Sequence, residues 1–145
     1  MQPGRLAGGL SPFRASNRPV IVMFGGPGGQ GALPTNFRDW GVISIWNTTN
    51  SRVTFSVSAS TYRGGQFFNF TLRPGQYQSY YAAFDEFKNP PLFRVSFDPV
   101  NKTNPIAVSN INVVFERLRW YPKVGTEGRP YAITTDVSGY NLTPI

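Results

Sequence analysis

This sequence predicts an all-β fold: an antiparallel β-sandwich or jelly roll of about seven or eight strands with an extended N-terminal arm. Three observations predict it. Short apolar runs recur, with turn signals every ~8–12 residues. Several runs alternate apolar and polar residues with a period of two, as half-buried strands do. No stretch carries the i, i+3, i+4, i+7 apolar stripe of an amphipathic helix.

The elements follow in order. Residues 1–18, MQPGRLAGGLSPFRASNR, are rich in Gly, Pro, Ser and Arg without periodicity, and read as an arm. PVIVMF (19–24) reads as a strand, with Pro19 at its start, where a missing N–H is tolerated. The glycine-rich stretch and ALPT (25–35) separate it from the rest. The expected organisation is an arm over 1–24 with a donor-type strand at 19–24, a hinge over 25–35, and a β-sandwich over 36–145.

Within the sandwich, GVISIW (41–46) precedes the turn NTTNS. RVTFSVSAS (52–60) alternates strictly, with Val53, Phe55, Val57 and Ala59 on one face and Thr54, Ser56 and Ser58 on the other. QFFNFTL (66–72) puts Phe68, Phe70 and Leu72 together. RPGQ (73–76) has Pro and Gly in the two central positions of a type II turn. YQSYYAAF (77–84) follows, then the loop DEFKNPP and the strand LFRVSF (92–97), with Phe93, Val95 and Phe97 on one side. NINVVFERLRW (110–120) reads as a long strand whose alternation breaks near Phe115–Arg117, the mark of a bulge. YAITTDV (131–137) is the last predicted strand.

Composition bounds the chemistry. At 145 residues, with 40% apolar and 15% aromatic content, the chain is long and apolar enough for one domain with a core. It has no Cys and no His, which removes thiol nucleophiles, Cys-ligated metals and the commonest acid–base group. The net charge of +7 is scattered along the chain, with no run of five or six basic residues, so it reads first as a mildly basic surface, with a surface for nucleic acid or another anionic polymer as the alternative. The first residues lack the apolar core of a secretory signal, and no apolar run approaches the ~20 residues of a membrane helix.

The stretch FGGPGGQG (24–31) matches G-x-G-x-x-G through Gly26, Gly28 and Gly31. A dinucleotide cradle needs a helix directly after the glycines and an acidic residue about 20 positions on. Pro34 follows instead, and the later segment IWNTTNS has no acid. The glycines Gly25, Gly26, Gly28, Gly29 and Gly31 therefore read as a hinge. The seven carboxylates show no facing pair, and no nucleophile–base arrangement exists, so the expected role is non-enzymatic, without cofactor or metal. Asn47, Asn69, Asn101 and Asn141 head N-x-S/T sequons, which matter only in a secretory pathway.

Two readings of the 19–24 strand stand. It is an ordinary first strand of its own sheet, or it detaches and pairs with a neighbouring subunit, with Val20, Val22 and Phe24 as the anchors of one face. Tyr77, Tyr80 and Tyr81 are a second candidate set, a platform on which sugars would stack.

The run WNTTNSRVTFSVSA…FFNFTLRPGQYQSYYAAFDEF resembles the middle of the jelly-roll subunits of bacterial endospore appendages. Those subunits share a short Asn-rich turn, alternating strands, a Pro-Gly turn and a flexible N-terminal connector. The resemblance covers roughly residues 40–87 and implies a fibre subunit. It also implies cross-linking through N-terminal cysteines, which this chain lacks. The expected function is a self-assembling structural subunit of a surface filament or shell, its partner a second copy of itself. A carbohydrate-binding module is the alternative, and a small viral capsid protein the third. The arm's Arg5, Arg14 and Arg18 are few for packing nucleic acid.

Overall fold

The computed structural model describes residues 20–24, 38–98, 100, 102–116 and 128–145, with the backbone alone for 20–24, 38 and 116. These residues form ten strands: β1 (Val20–Phe24), β2 (Arg38–Asn47), β3 (Val53–Ala59), β4 (Phe68–Leu72), β5 (Tyr77–Ala83), β6 (Phe93–Ser96), β7 (Ile106–Val108), β8 (Asn112–Glu116), β9 (Arg129–Asp136) and β10 (Gly139–Pro144). The all-β expectation is met, with β7 and β10 as strands beyond those predicted. Strand β7 has three residues, too few to display a period, and β10 is mostly polar.

The strands pack as two sheets. One has the order β1-β5-β2-β9-β10, with β8 also paired to β2; the other is β4-β3-β6-β7. The second sheet is antiparallel throughout. The first is mixed: most of its pairs are antiparallel, and β1–β5 and β2–β9 are parallel. The second of these pairs has a geometric cause. Strand β8 lies along Arg38–Val42 and β9 along Ile43–Asn47, on the same edge of β2. Antiparallel β8 runs away from the middle of β2, so a strand filling the other half of that edge from the middle outward runs the opposite way. Of the bulge expected near Phe115–Arg117, Phe115 and Glu116 pair regularly with Asp39 and Arg38 at the end of β8, and Arg117 lies outside the described residues.

Strands β2 to β5 form a ribbon of two arms. Strand β2 pairs with β5 in the first sheet, and β3 with β4 in the second. Both arms change sheets at one corner, and Asn47 stands there, fully buried. Its Nδ2 donates to the Ser51 carbonyl at 2.8 Å and the Leu72 carbonyl at 2.9 Å. Its Oδ1 accepts from the Thr49 N–H at 2.9 Å and the Thr49 hydroxyl at 2.7 Å. Its own N–H donates to the Gln76 carbonyl, and its carbonyl accepts from the Gly75 N–H. The second crossing is the predicted type II turn. Gly75 has φ 78°, which only glycine adopts without strain, and the Gln76 N–H closes the turn on the Arg73 carbonyl.

Between the sheets lies a core of Ile43, Ile45, Val53, Phe55, Val57, Leu72, Tyr80, Phe93, Val95 and Ile133. Phe55 is its hub, with ring centroids 6.3 Å from Phe70 and Tyr80 and 6.0 Å from Phe97. The alternation read in β3 places Val53, Phe55, Val57 and Ala59 in this core, but Ser56 and Ser58 are buried as well. Strand β3 is an inner strand between β4 and β6, so its polar row is roofed by its neighbours; the Ser56 hydroxyl donates to Asn69 Oδ1.

Removing the Asn47 amide orphans several backbone groups at once, each costing about 1–3 kcal/mol when buried. Asn47→Ala should therefore destabilise the domain by about 3 kcal/mol or more, read as a drop in the urea midpoint. Tyr80 gives a second test. Burial holds its phenol well above 10.0, so its contribution to stability is whole below the unfolded tyrosine's value near 10 and is lost as pH rises beyond it. Tyr80→Phe should shift the alkaline unfolding midpoint upward in a pH titration followed by circular dichroism.

Candidate functional site

Sheet edges decide how a β-protein meets its neighbours, because they present unpaired N–H and C=O groups. Three outer edges here are blunted. Strand β7 is three residues long and follows Pro105, β10 carries Pro144, and Pro74 comes two residues after β4 ends. Strand β8 pairs only with β2 and so keeps an open outer side, while the edge of β5 facing away from β2 is filled by β1.

That pairing is parallel and in register over five residues, from Val20 opposite Gln78 to Phe24 opposite Ala82. The proposed anchors Val20, Val22 and Phe24 stand opposite Gln78, Tyr80 and Ala82. Tyr80 and Ala82 belong to the core between the sheets, so the anchors occupy the positions aligned with the core-facing row of β5. Strand β1 thus joins the sheet of its own chain, as in the first of the two readings.

The connection bears on the second reading. Phe24 lies opposite Ala82, and Trp40 lies opposite Ala83 on the other side of β5. Strand β2 begins two residues before Trp40, at Arg38, so the end of β1 and the start of β2 are about 14 Å apart, two strand spacings across and about 10 Å along. Residues 25–37 join them, and a chain of that length spans about 40 Å when extended. The slack is several-fold. The hinge glycines Gly25, Gly26, Gly28, Gly29 and Gly31, and the arm before residue 20, lie outside the described residues.

The second candidate set fails. Tyr77, Tyr80 and Tyr81 are 3%, 0% and 3% exposed, so they offer no platform to a sugar. The cause is the central position of β5, flanked by β1 and β2 and buried along its whole length. Tyr80 packs in the core, with Phe70 at 5.0 Å. Tyr81 faces the other way and meets Trp40 edge-on at 5.4 Å, in a second buried cluster with Val42 and Ala83. Both faces of β5 are covered, where the sequence alone suggests one.

Several polar candidates have local roles. Asp85 closes its own loop, its carboxylate accepting from the Phe87 and Asn89 N–H groups, and these bonds hold its pKa below the ordinary value. Glu116 stands opposite Arg38 in the β2–β8 register, as cross-strand pairing requires. Asn47 is consumed by the corner and is no glycan acceptor in the folded chain. Asn101 lies outside the described residues. Among the described residues no three His, Cys, Asp or Glu side chains gather as a metal site, and no helix is long and apolar enough to cross a membrane.

Sequence reasoning passed over an aromatic pair. Tyr140, in β10, lies 5.5 Å from Phe97, and the two rings line an open cleft of about 690 Å³ between the sheets. The available signal was Asp136-Val-Ser-Gly139, a turn that splits the tail into a hairpin.

Truncating the chain before residue 25 strips β1 from β5. Amide exchange over Gln78–Ala82 should then accelerate at least tenfold, while Val53–Leu72 stays protected. Unchanged exchange in β5 would mean that β1 does not close this edge.

No protein-family model, curated protein or solved structure matches this chain.

Proposed function

We propose that this protein is a non-enzymatic structural subunit that polymerises by lending β1 to the β5 edge of a neighbouring copy. One observation carries the reading: a five-residue strand sits in register on an otherwise unprotected edge, tethered by far more chain than the gap requires. A tether with ~40 Å of reach lets the same register be filled from a second subunit with little change in contacts. Exchange of this kind is heterologous when the donor's own edge is filled by a third copy, and it then grows an open filament unless the rotation closes it.

Two further features support the reading. The edges of β7 and β10 are blunted by short length and proline, and the β5 edge is the one on which a strand is already seated. The resemblance of residues 40–87 to endospore-appendage subunits points to the same kind of assembly. Without cysteines, cohesion between subunits here rests on main-chain pairing and apolar burial rather than on disulfides.

One deletion tests the proposal by negative-stain microscopy and sedimentation. Removing residues 1–24 should leave a folded monomer. Polymers persisting in this variant, unchanged in form, would overturn strand exchange.

A further inference from the structure

The cleft beside Tyr140 lies far from the β1–β5 edge, at the opposite margin of the first sheet. One wall is the β9–β10 hairpin, and the other is the end of β6 with the loop leading to β7. Its floor is aromatic. Phe97 is anchored in the core against Phe55 at 6.0 Å, and Tyr140 leans on it at an interplanar angle of 35° while staying 38% exposed. One side of the Tyr140 ring is packed on Phe97, and the exposed remainder of the side chain is open to a ligand.

The rim is built of amides and hydroxyls. Asn104, Thr103 and Ser138 are exposed, and Asn141 is half-buried. The hairpin turn is held rigid by Asp136, whose Oδ1 accepts from the Ser138 N–H at 2.8 Å and the Ser138 hydroxyl at 2.6 Å. Its other oxygen accepts from Asn141 Nδ2. That bond fixes the orientation of the Asn141 amide, whose carbonyl and second N–H are further hydrogen-bonding groups. Among the described residues lining the cleft there is no Lys or Arg, although the chain carries +7 overall, and Asp98 lies on its wall.

These features select a ligand chemistry. A pyranose has an apolar face of C–H groups and an equatorial rim of hydroxyls. The C–H face fits an aromatic ring, whose π-cloud attracts polarised hydrogens, and the hydroxyls fit side-chain amides. A cleft of this size takes one or two sugar rings, and its openness at the sheet margin lets a longer chain run through. The absence of basic lining residues disfavours sulfated or uronic polymers. We infer that the Phe97–Tyr140 cleft binds a neutral polysaccharide chain, with Tyr140 as the stacking ring and Asn104 and Asn141 as hydroxyl partners. The inference does not rest on strand exchange, since a monomer and a polymer carry the same cleft.

The test is co-sedimentation of the full chain with insoluble cellulose, chitin and β-1,3-glucan, using protein without polysaccharide as the blank and heparin–agarose as the anionic arm. Retention on at least one neutral polymer is expected, unaffected by 0.5 M salt. Tyr140→Ala should lower the affinity at least tenfold, Tyr140→Phe should keep it within about twofold, and Asn104→Ala should lower it several-fold, each with an unchanged thermal transition. No retention on any neutral polymer, equal retention by Tyr140→Ala, or salt-sensitive retention on heparin alone would overturn the inference. Because retention is scored against the blank, loss of polymerisation in the truncated chain leaves this outcome unaffected.

Discussion

The side chain of Asn47 stands where both arms of the β2–β5 ribbon pass from one sheet to the other. A sandwich needs such crossings, and each strips backbone groups of their ladder partners just where the core excludes water. A buried carbonyl left unpaired costs more than an ordinary hydrogen bond contributes. One amide meets this constraint for both crossings: it supplies donors to the carbonyls of Ser51 and Leu72 and an acceptor to Thr49. Its main chain joins the second turn through Gly75 and Gln76. The register of β2 on β5 and of β3 on β4 therefore meets at a single residue. Everything packed on those pairs, from the Phe55 hub to the β1 edge, inherits that register.

Strand β5 shows how a central position changes the meaning of its residues. The run YQSYYAA has the composition of a surface strand, with three tyrosines and polar neighbours between them. Placed between β1 and β2, with the core below and the Trp40–Tyr81 cluster above, it becomes the most enclosed strand of the first sheet. The same enclosure gives β1 its importance. The strand that closes the outer edge of β5 completes the sheet.

The two proposed activities sit on opposite margins of one sheet. Strand pairing at β5 draws on backbone groups, tolerates sequence variety along the donor and suits assembly. The Tyr140 cleft draws on side chains fixed by a rigid hairpin and suits recognition. A filament made through the first would display the second at regular intervals, and repeated weak sites along a polymer bind a long glycan far more tightly than any one site does.

Much of the fold was legible in the chain. Strict alternation marked β3, the Phe68-x-Phe70-x-Leu72 spacing marked β4, and Pro74-Gly75 marked the turn between β4 and β5, because these are local properties of the backbone and of side-chain direction. Pro34 and the lack of an acid in IWNTTNS likewise weigh against a nucleotide reading of FGGPGGQG in the sequence itself. What the chain could not express was neighbourhood. Whether Tyr77 and Tyr81 meet water depends on what lies across β5. Whether Tyr140 meets Phe97 depends on the hairpin folding back beside the end of β6. Asn47 looked like a sequon, and only the corner made it a clamp. Sequence alone determined where most of the strands run, though not β7 or β10, and which face of the alternating ones is apolar, because alternation and turn chemistry act between near neighbours. Tertiary structure decided which edges are filled, which polar residues are enclosed and which aromatics reach the surface, because those follow from pairings between distant segments.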